Sequence, residues 1–184
     1  DQVRDLGTKG ALTPEQVEEA HDNAVKSVIK DHELAGVDII TDGEIRRETM
    51  VYFFSKRIHG FDFEHTKLHP IGNLDPSIQM PDPVVADKVK RQQSLNMDKH
   101  FTFLKEHTYA RTKVCVTGPQ MLAKRATNEY YKDEKELIFD LAEVLNKELK
   151  GLVTAGCDFI QIDEPVWVGY RQDMPLLVQT VSKL

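Results

Sequence analysis

The stretch Gly156-Cys157-Asp158-Phe159-Ile160-Gln161-Ile162-Asp163-Glu164-Pro165 constrains the chain more than any other. A glycine able to stop a helix is followed by a short apolar run with β-branched and aromatic residues. That is the pattern of a strand buried in a parallel sheet. Pro165 has no N–H to give to a ladder, so the strand ends there. Asp163 and Glu164 are thereby presented at the carboxyl end of the strand, the edge on which α/β folds carry their chemistry. A turn-capping aspartate fits the same residues. A second copy of the device favours the first reading: Gly36-Val37-Asp38-Ile39-Ile40-Thr41-Asp42-Gly43-Glu44 is again glycine, apolar strand, then acids. Two strands that deliver carboxylates at the same end point to one shared polar site.

The rest of the chain alternates helix and strand. Thr13-Pro14-Glu15-Gln16 is a helix start, with Thr as N-cap, Pro at the first helical position and Gln closing a capping box. Val17, Ala20, Ala24, Val28 and Ala35 are the expected buried face, and Gly36 the stop. A strand follows over 37–41, then helical propensity over 46–57. Residues 58–83 carry prolines, glycines and His59, His65 and His69, and read as a long loop insertion, a lid or an inserted hairpin. His65 and His69 stand four apart, but Pro70, Gly72 and Pro76 argue against a helix that could aim both at a metal, so they read as solvated loop histidines. Val84–Val89 is a strand, and Asn96 caps a helix from Met97 to His107 with Phe101 and Leu104 inside. Lys113–Thr117 is a strand closed by Gly118-Pro119. Asp133 opens a helix with Leu137, Leu141, Leu145, Leu149 and Leu152 along one stripe, and Leu176–Leu184 is a last helix. This order argues for parallel βαβ units. About four strands in 184 residues fall short of a (β/α)8 barrel, which takes about 250, so the chain is an open sheet or part of a barrel.

Composition narrows the partners. With 40% hydrophobic and 29% charged residues the chain has the make-up of a soluble globular protein. It holds no apolar run near the roughly 20 residues of a membrane helix. The start, Asp1-Gln2-Val3-Arg4-Asp5, shows no secretory pattern and no initiator Met, which suggests a trimmed terminus or a segment. The net charge is -6 with both signs intermixed, and Asp87-Lys88-Val89-Lys90-Arg91 is too short a basic run for nucleic acid. Cys115 and Cys157 are too few for a disulfide scaffold and lack the histidine spacing of a zinc site. Both are expected as buried structural thiols in a reducing cytoplasm.

Three stretches taken together resemble one family: 36–44 with Arg47, Val116-Thr117-Gly118-Pro119, and 155–165 with its Ile-Gln-Ile-Asp-Glu-Pro segment. They look like the catalytic (C-terminal) barrel of cobalamin-independent methionine synthase and its short relatives, which include epoxyalkane:coenzyme M transferases. The resemblance implies a TIM (β/α)8 barrel, of which residues 1–184 would be one incomplete domain with about four parallel strands. It also implies transfer of a methyl group to a zinc-activated thiol. In the family, Glu of the Gly-Glu motif and Asp of Asp-Glu-Pro hold the amino group of homocysteine, which puts Glu44 and Asp163 in that role. Glu164 is expected to orient neighbours or line the site. The family's zinc ligands, a His-x-Cys pair, a distant Glu and a further Cys, match nothing in this chain, so no zinc site and little or no activity are expected of these residues alone. The run Gln120-Met121-Leu122-Ala123-Lys124-Arg125 holds no Trp to stack on a folate, which leaves the methyl donor open. A sulfonate-bearing thiol would call on Arg46, Arg47 or Arg125, residues that read equally as surface arginines. A decarboxylase related to uroporphyrinogen decarboxylase is an alternative wanting an arginine-rich anion site. A non-catalytic fragment is another, whose open sheet edges would favour a homo-oligomer.

Overall fold

The computed structural model describes residues 2–71 and 75–184. After the short α1 (Gln2–Thr8), α2 (Pro14–Leu34) begins with the expected capping box, Gln16 N donating to Thr13 Oγ1 and Thr13 N to Gln16 Oε1. Its buried stripe is His21, Val25 and Ile29, one position along from the face expected. Val17, Ala20, Ala24 and Val28 flank that stripe half-buried, and Ala35 is exposed. The longer apolar side chains reach further than alanine into the hydrophobic contact, and they set the rotation of the helix.

β1 (Ile39–Ile40) pairs in parallel with β4 (Arg111–Thr112). Only Tyr52–Ser55 of the expected 46–57 helix is helical, forming α3. The segment then enters β2 (Ile58–Ile71) and β3 (Asp75–Arg91), which pair antiparallel with register shifts between His59 and Phe61 and between Asp62 and Lys67. Of the readings for 58–83, a loop, a lid or an inserted hairpin, the described residues bear out the hairpin, a long antiparallel arm. Bulges absorb the irregular sequence, and between Asp62 and Lys67 the backbone N–H groups of Glu64 and His65 donate to Asp62 Oδ1 instead of across the strands. Val84–Val89 lies inside β3. α4 (Met97–Glu106) buries Met97, Phe101 and Leu104. Asn96 stands at its N-cap in a left-handed conformation (φ 58°) without a side-chain cap bond, so its conformational tolerance rather than its amide suits it to the position.

The body of the molecule is the parallel pair of β5 (Val114–Thr117) and β7 (Ile160–Asp163), in register Val114↔Ile160 through Thr117↔Asp163. Between them run α5 (Pro119–Lys124), β6 (Thr127–Asn128), which pairs in parallel with β3, and α6 (Glu134–Thr154). Asp133 Oδ1 accepts from Lys135 N at the start of α6, and all five leucines of the expected stripe are buried. Gly156 ends this segment at φ 88°. Cys157 is buried but precedes β7, which begins at Ile160. α7 (Met174–Val181) packs on α6.

The principal core gathers α6 with Phe53, Phe54, Val85, Val89, Phe101, Val116 and Leu122. The architecture is α/β with three separate sheets, and among the described residues they do not close into a barrel. No helix among those residues is long and apolar enough to cross a membrane.

Candidate functional site

β1 leads directly into Thr41-Asp42-Gly43-Glu44. The turn is built by its own side chains, Gly43 N donating to Thr41 Oγ1 (3.2 Å) and Glu44 N to Asp42 Oδ1 (2.9 Å). Gly43 and Glu44 are both left-handed, at φ 64° and 57°. A Cβ on residue 43 would lie 2.6 Å from Val28 Cγ1, so glycine serves both the conformation and the close approach of α2. Glu44 has no such exemption, and its backbone is held in a conformation that L side chains resist.

Arg47 fixes the Glu44 side chain. Its guanidinium is 7% exposed, pairs through Nη1 with Glu44 Oε2 at 3.0 Å, and donates from Nη2 to the Cys115 carbonyl at 2.6 Å. It also lies over the Phe53 and Phe54 rings. One arginine thus ties the turn after β1 to strand β5. On β7, residues two apart share a face, and Gln161 Nε2 donates to Asp163 Oδ1 at 2.6 Å. Lys113 Nζ in turn donates to Gln161 Oε1 at 2.7 Å. The register of the parallel pair sets Cys115 beside Gln161 and Thr117 beside Asp163.

These supports bring three side chains together. Donor atoms of Glu44, Cys115 and Asp163 all lie within 4.8 Å of one another, each residue half-buried. Glu44 and Asp163 were expected to meet. Cys115 was set aside as a structural thiol, and its convergence with the carboxylates is a correction. It was open to detection only as a strand position paired with Gln161, two residues before Asp163, and pairing cannot be read from one strand alone. Burial, Asp163 and Glu44, in that order, raise the Cys115 thiol above its ordinary pKa. Cys157 differs: it is buried and its Sγ donates to the Phe159 carbonyl at 3.4 Å.

Glu164 turns the other way. It is 8% exposed, and its two carboxylate oxygens accept from Gln120 N and Met121 N, both at 2.7 Å, in the first turn of α5. A Cβ on Gly118 would sit 2.3 Å from Glu164 Oε1, so the glycine of Gly-Pro makes room for this carboxylate. Burial pushes the Glu164 carboxyl up to about 7 against the pull of the two backbone donors.

The arginines read as surface residues are not on the surface. Arg46 is 7% exposed, pairs with Glu18 and Asp22, and lies over Phe103. Arg125 pairs with buried Asp82 at 2.6 Å and donates to the Pro70 carbonyl. His65 is exposed and bonded to Asp62 at 2.7 Å, while His69 Nε2 meets Thr127 Oγ1 at 3.0 Å. His100, packed against Phe53, is driven down to about 4 by burial, with Arg46 adding to the effect.

The family model described as the cobalamin-independent synthase catalytic domain matches residues 1–181. The methionine synthase of Saccharolobus solfataricus is 39% identical over 179 residues, covering 97% of this chain and 52% of its own. That of Saccharolobus islandicus strain L.S.2.15 is 41% identical with the same coverage. The chain therefore spans about half the length of the curated relatives it matches. Among solved structures, a B12-independent methionine synthase from Shewanella sp. W3-18-1, in complex with selenomethionine, superposes with a TM-score of 0.84 at 28% identity, over 94% of this chain and 50% of that one.

Proposed function

The chain belongs to the family of cobalamin-independent synthase catalytic domains, and on that footing we propose that it supplies the amino-acid-holding part of a methyltransferase of methionine synthesis. The acceptor is homocysteine, and Glu44 and Asp163 hold its ammonium. The observation that carries this is the convergence of the two carboxylates from separate strand ends, each braced by a dedicated partner, Arg47 and Gln161. Two carboxylates set against one cationic head make charge-assisted hydrogen bonds that a neutral thiol lacks. The Shewanella relative was captured with selenomethionine, an amino acid. Glu164 acts as a positioning residue, bridging the end of β7 to the first turn of α5.

Residues 1–184 form one incomplete (β/α)8 barrel domain, to which the parallel pairs β1–β4 and β5–β7 contribute. The zinc of the resemblance does not fit the donors here. The only mixed donor group among the described residues is Glu44, Cys115 and Asp163, without a histidine. Activation of the acceptor thiol is accordingly assigned to donors that this chain does not carry. A sulfonate-bearing acceptor is disfavoured, since Arg46, Arg47 and Arg125 are each paired with a carboxylate.

The test is calorimetric binding of homocysteine and of coenzyme M to the purified chain. Homocysteine is expected to bind and coenzyme M not to. Glu44→Gln and Asp163→Asn are each expected to weaken homocysteine at least tenfold, the loss of one hydrogen bond to a charged group at about 1.5–3 kcal/mol. Unchanged affinity in both variants rejects the assignment.

A further inference from the structure

We propose that Arg4 is a positioning residue that makes the site selective for ligands bearing an ammonium, by clamping the turn that carries Glu44. This role rests on the reading of Glu44 as an acceptor of the ammonium. Glu44 stands at φ 57°, a conformation that persists only where its surroundings over-determine it. Two bonds within the turn help: Glu44 N donates to Asp42 Oδ1 and Arg47 N to the Glu44 carbonyl, both at 2.9 Å. The carbonyls of Ile45 and Arg47 lie outside any strand and still need donors. Arg4 reaches them from α1, Nη2 donating to Ile45 O at 2.8 Å and Nη1 to Arg47 O at 3.1 Å. One planar guanidinium thus fixes the backbone one and three residues beyond Glu44, a two-point hold that the single ammonium of lysine does not reproduce.

Arg47 joins the clamp to the carboxylate. Its backbone carbonyl is gripped by Arg4, while its own guanidinium pairs with Glu44 Oε2 and donates to the Cys115 carbonyl. A shift of the Arg47 backbone therefore carries the brace of Glu44 with it. Between the two gripped carbonyls, Arg46 ties the turn to Glu18 and Asp22 of α2. Apolar burial does not account for the place of α1: none of its residues is buried, and a helix of seven residues is marginal by itself. Its close approach to α2 is allowed at Gly7, where a Cβ would lie 2.7 Å from Val17 Cγ2. Arg4 also lines the same cleft as Glu44, Arg47 and Lys56. Charge and positioning have opposite signs there. By charge alone, removing a cation from the cleft favours an ammonium ligand; by positioning, removing Arg4 loosens Glu44 and disfavours it.

The experiment measures, by calorimetry on the purified chain, the affinity for homocysteine relative to 4-mercaptobutanoate. The second ligand keeps the thiol and the carboxylate and lacks the amino group, so a direct contact of Arg4 with the carboxylate cancels in the ratio. The unsubstituted chain is expected to prefer homocysteine at least tenfold, the scale of a hydrogen bond to a charged group. Arg4→Gln is expected to cut that preference about fivefold, and to cut it no further in a chain already carrying Glu44→Gln, the coupling of two residues that act through one another. Arg4→Lys, which keeps the charge and the stem, is expected to cut it about threefold, and it decides the matter should Arg4→Gln fail to fold. A preference kept in Arg4→Lys, equal weakening of both ligands in the Arg4 variants, or a full further loss on top of Glu44→Gln overturns the role of Arg4 while leaving that of Glu44 standing. No preference in the unsubstituted chain overturns the ammonium reading, and the role of Arg4 with it.

Discussion

The β5–β7 body and the β2–β3 arm are both sheet, yet different forces hold them. The body packs its strands against α5 and α6, whose leucine stripe is wholly buried, and hydrophobic burial dominates there. The arm shares that core through Ile58, Val85 and Val89, with Phe61 packed against it. Further out it is exposed over residues 64–68, and polar groups fasten it to α3, α5 and β6. Arg125 grips Asp82 and the Pro70 carbonyl, Tyr52 donates to the Pro81 carbonyl and packs edge-on against Phe63, and Lys67 pairs with Glu129. Asp82 is 2% exposed, and its Oδ2 has no hydrogen bond. The arm's attachment thus depends on a buried charge staying paired, whereas the body depends on volume staying filled.

That contrast breaks or sharpens under four changes. Arg125→Ala strands the Asp82 carboxylate and is expected to cost about 3–5 kcal/mol. Hydrogen exchange should show the outer arm losing protection while α6 keeps it, and equal loss in α6 would mean that the arm is not separable. Leu141→Ala, in the fully buried stripe, should cost about 2–5 kcal/mol in urea unfolding, with every probe of the body moving together. Gly118→Ala forces a methyl against Glu164 and should cost about 1–3 kcal/mol, showing whether the β7-to-α5 bridge can give way.

The smallest effect is a slope rather than a loss. The Glu164 carboxyl titrates near 7 in the folded chain against 4.5 as its ordinary value, so the fold favours its protonated form. Its contribution to stability is full below about 4.5, falls as pH climbs to about 7, and is flat above. Glu164→Gln should flatten that segment of a thermal midpoint profile; a slope that persists puts the titrating group elsewhere.

Much of the body was legible in the sequence because its signals are local. Thr13-Pro14-Glu15-Gln16 carries its own cap, the α6 leucines repeat on one face, and Ile-Gln-Ile-Asp-Glu-Pro stops where proline ends the ladder. The meeting of Glu44 with Asp163 was legible as two copies of one strand-end device. The arm was legible only as one of several options, an inserted hairpin, since its prolines and histidines interrupt any period and its register is set by bulges and by partners such as Arg125. The rotation of α2 was misread because alanines were weighted like Val25 and Ile29. Cys115 was missed because its neighbours arrive from β1 and β7, and no spacing along the chain records that. Arg46 and Arg125 were misplaced for a related reason: burial of a charge depends on a partner elsewhere.

The left-handed backbone at Glu44 has a consequence for how the chain can drift under mutation. At φ 57° asparagine or glycine suits the conformation better than glutamate. Glu44→Asn is therefore expected to raise stability by up to about 1 kcal/mol while removing the carboxylate's reach toward Asp163.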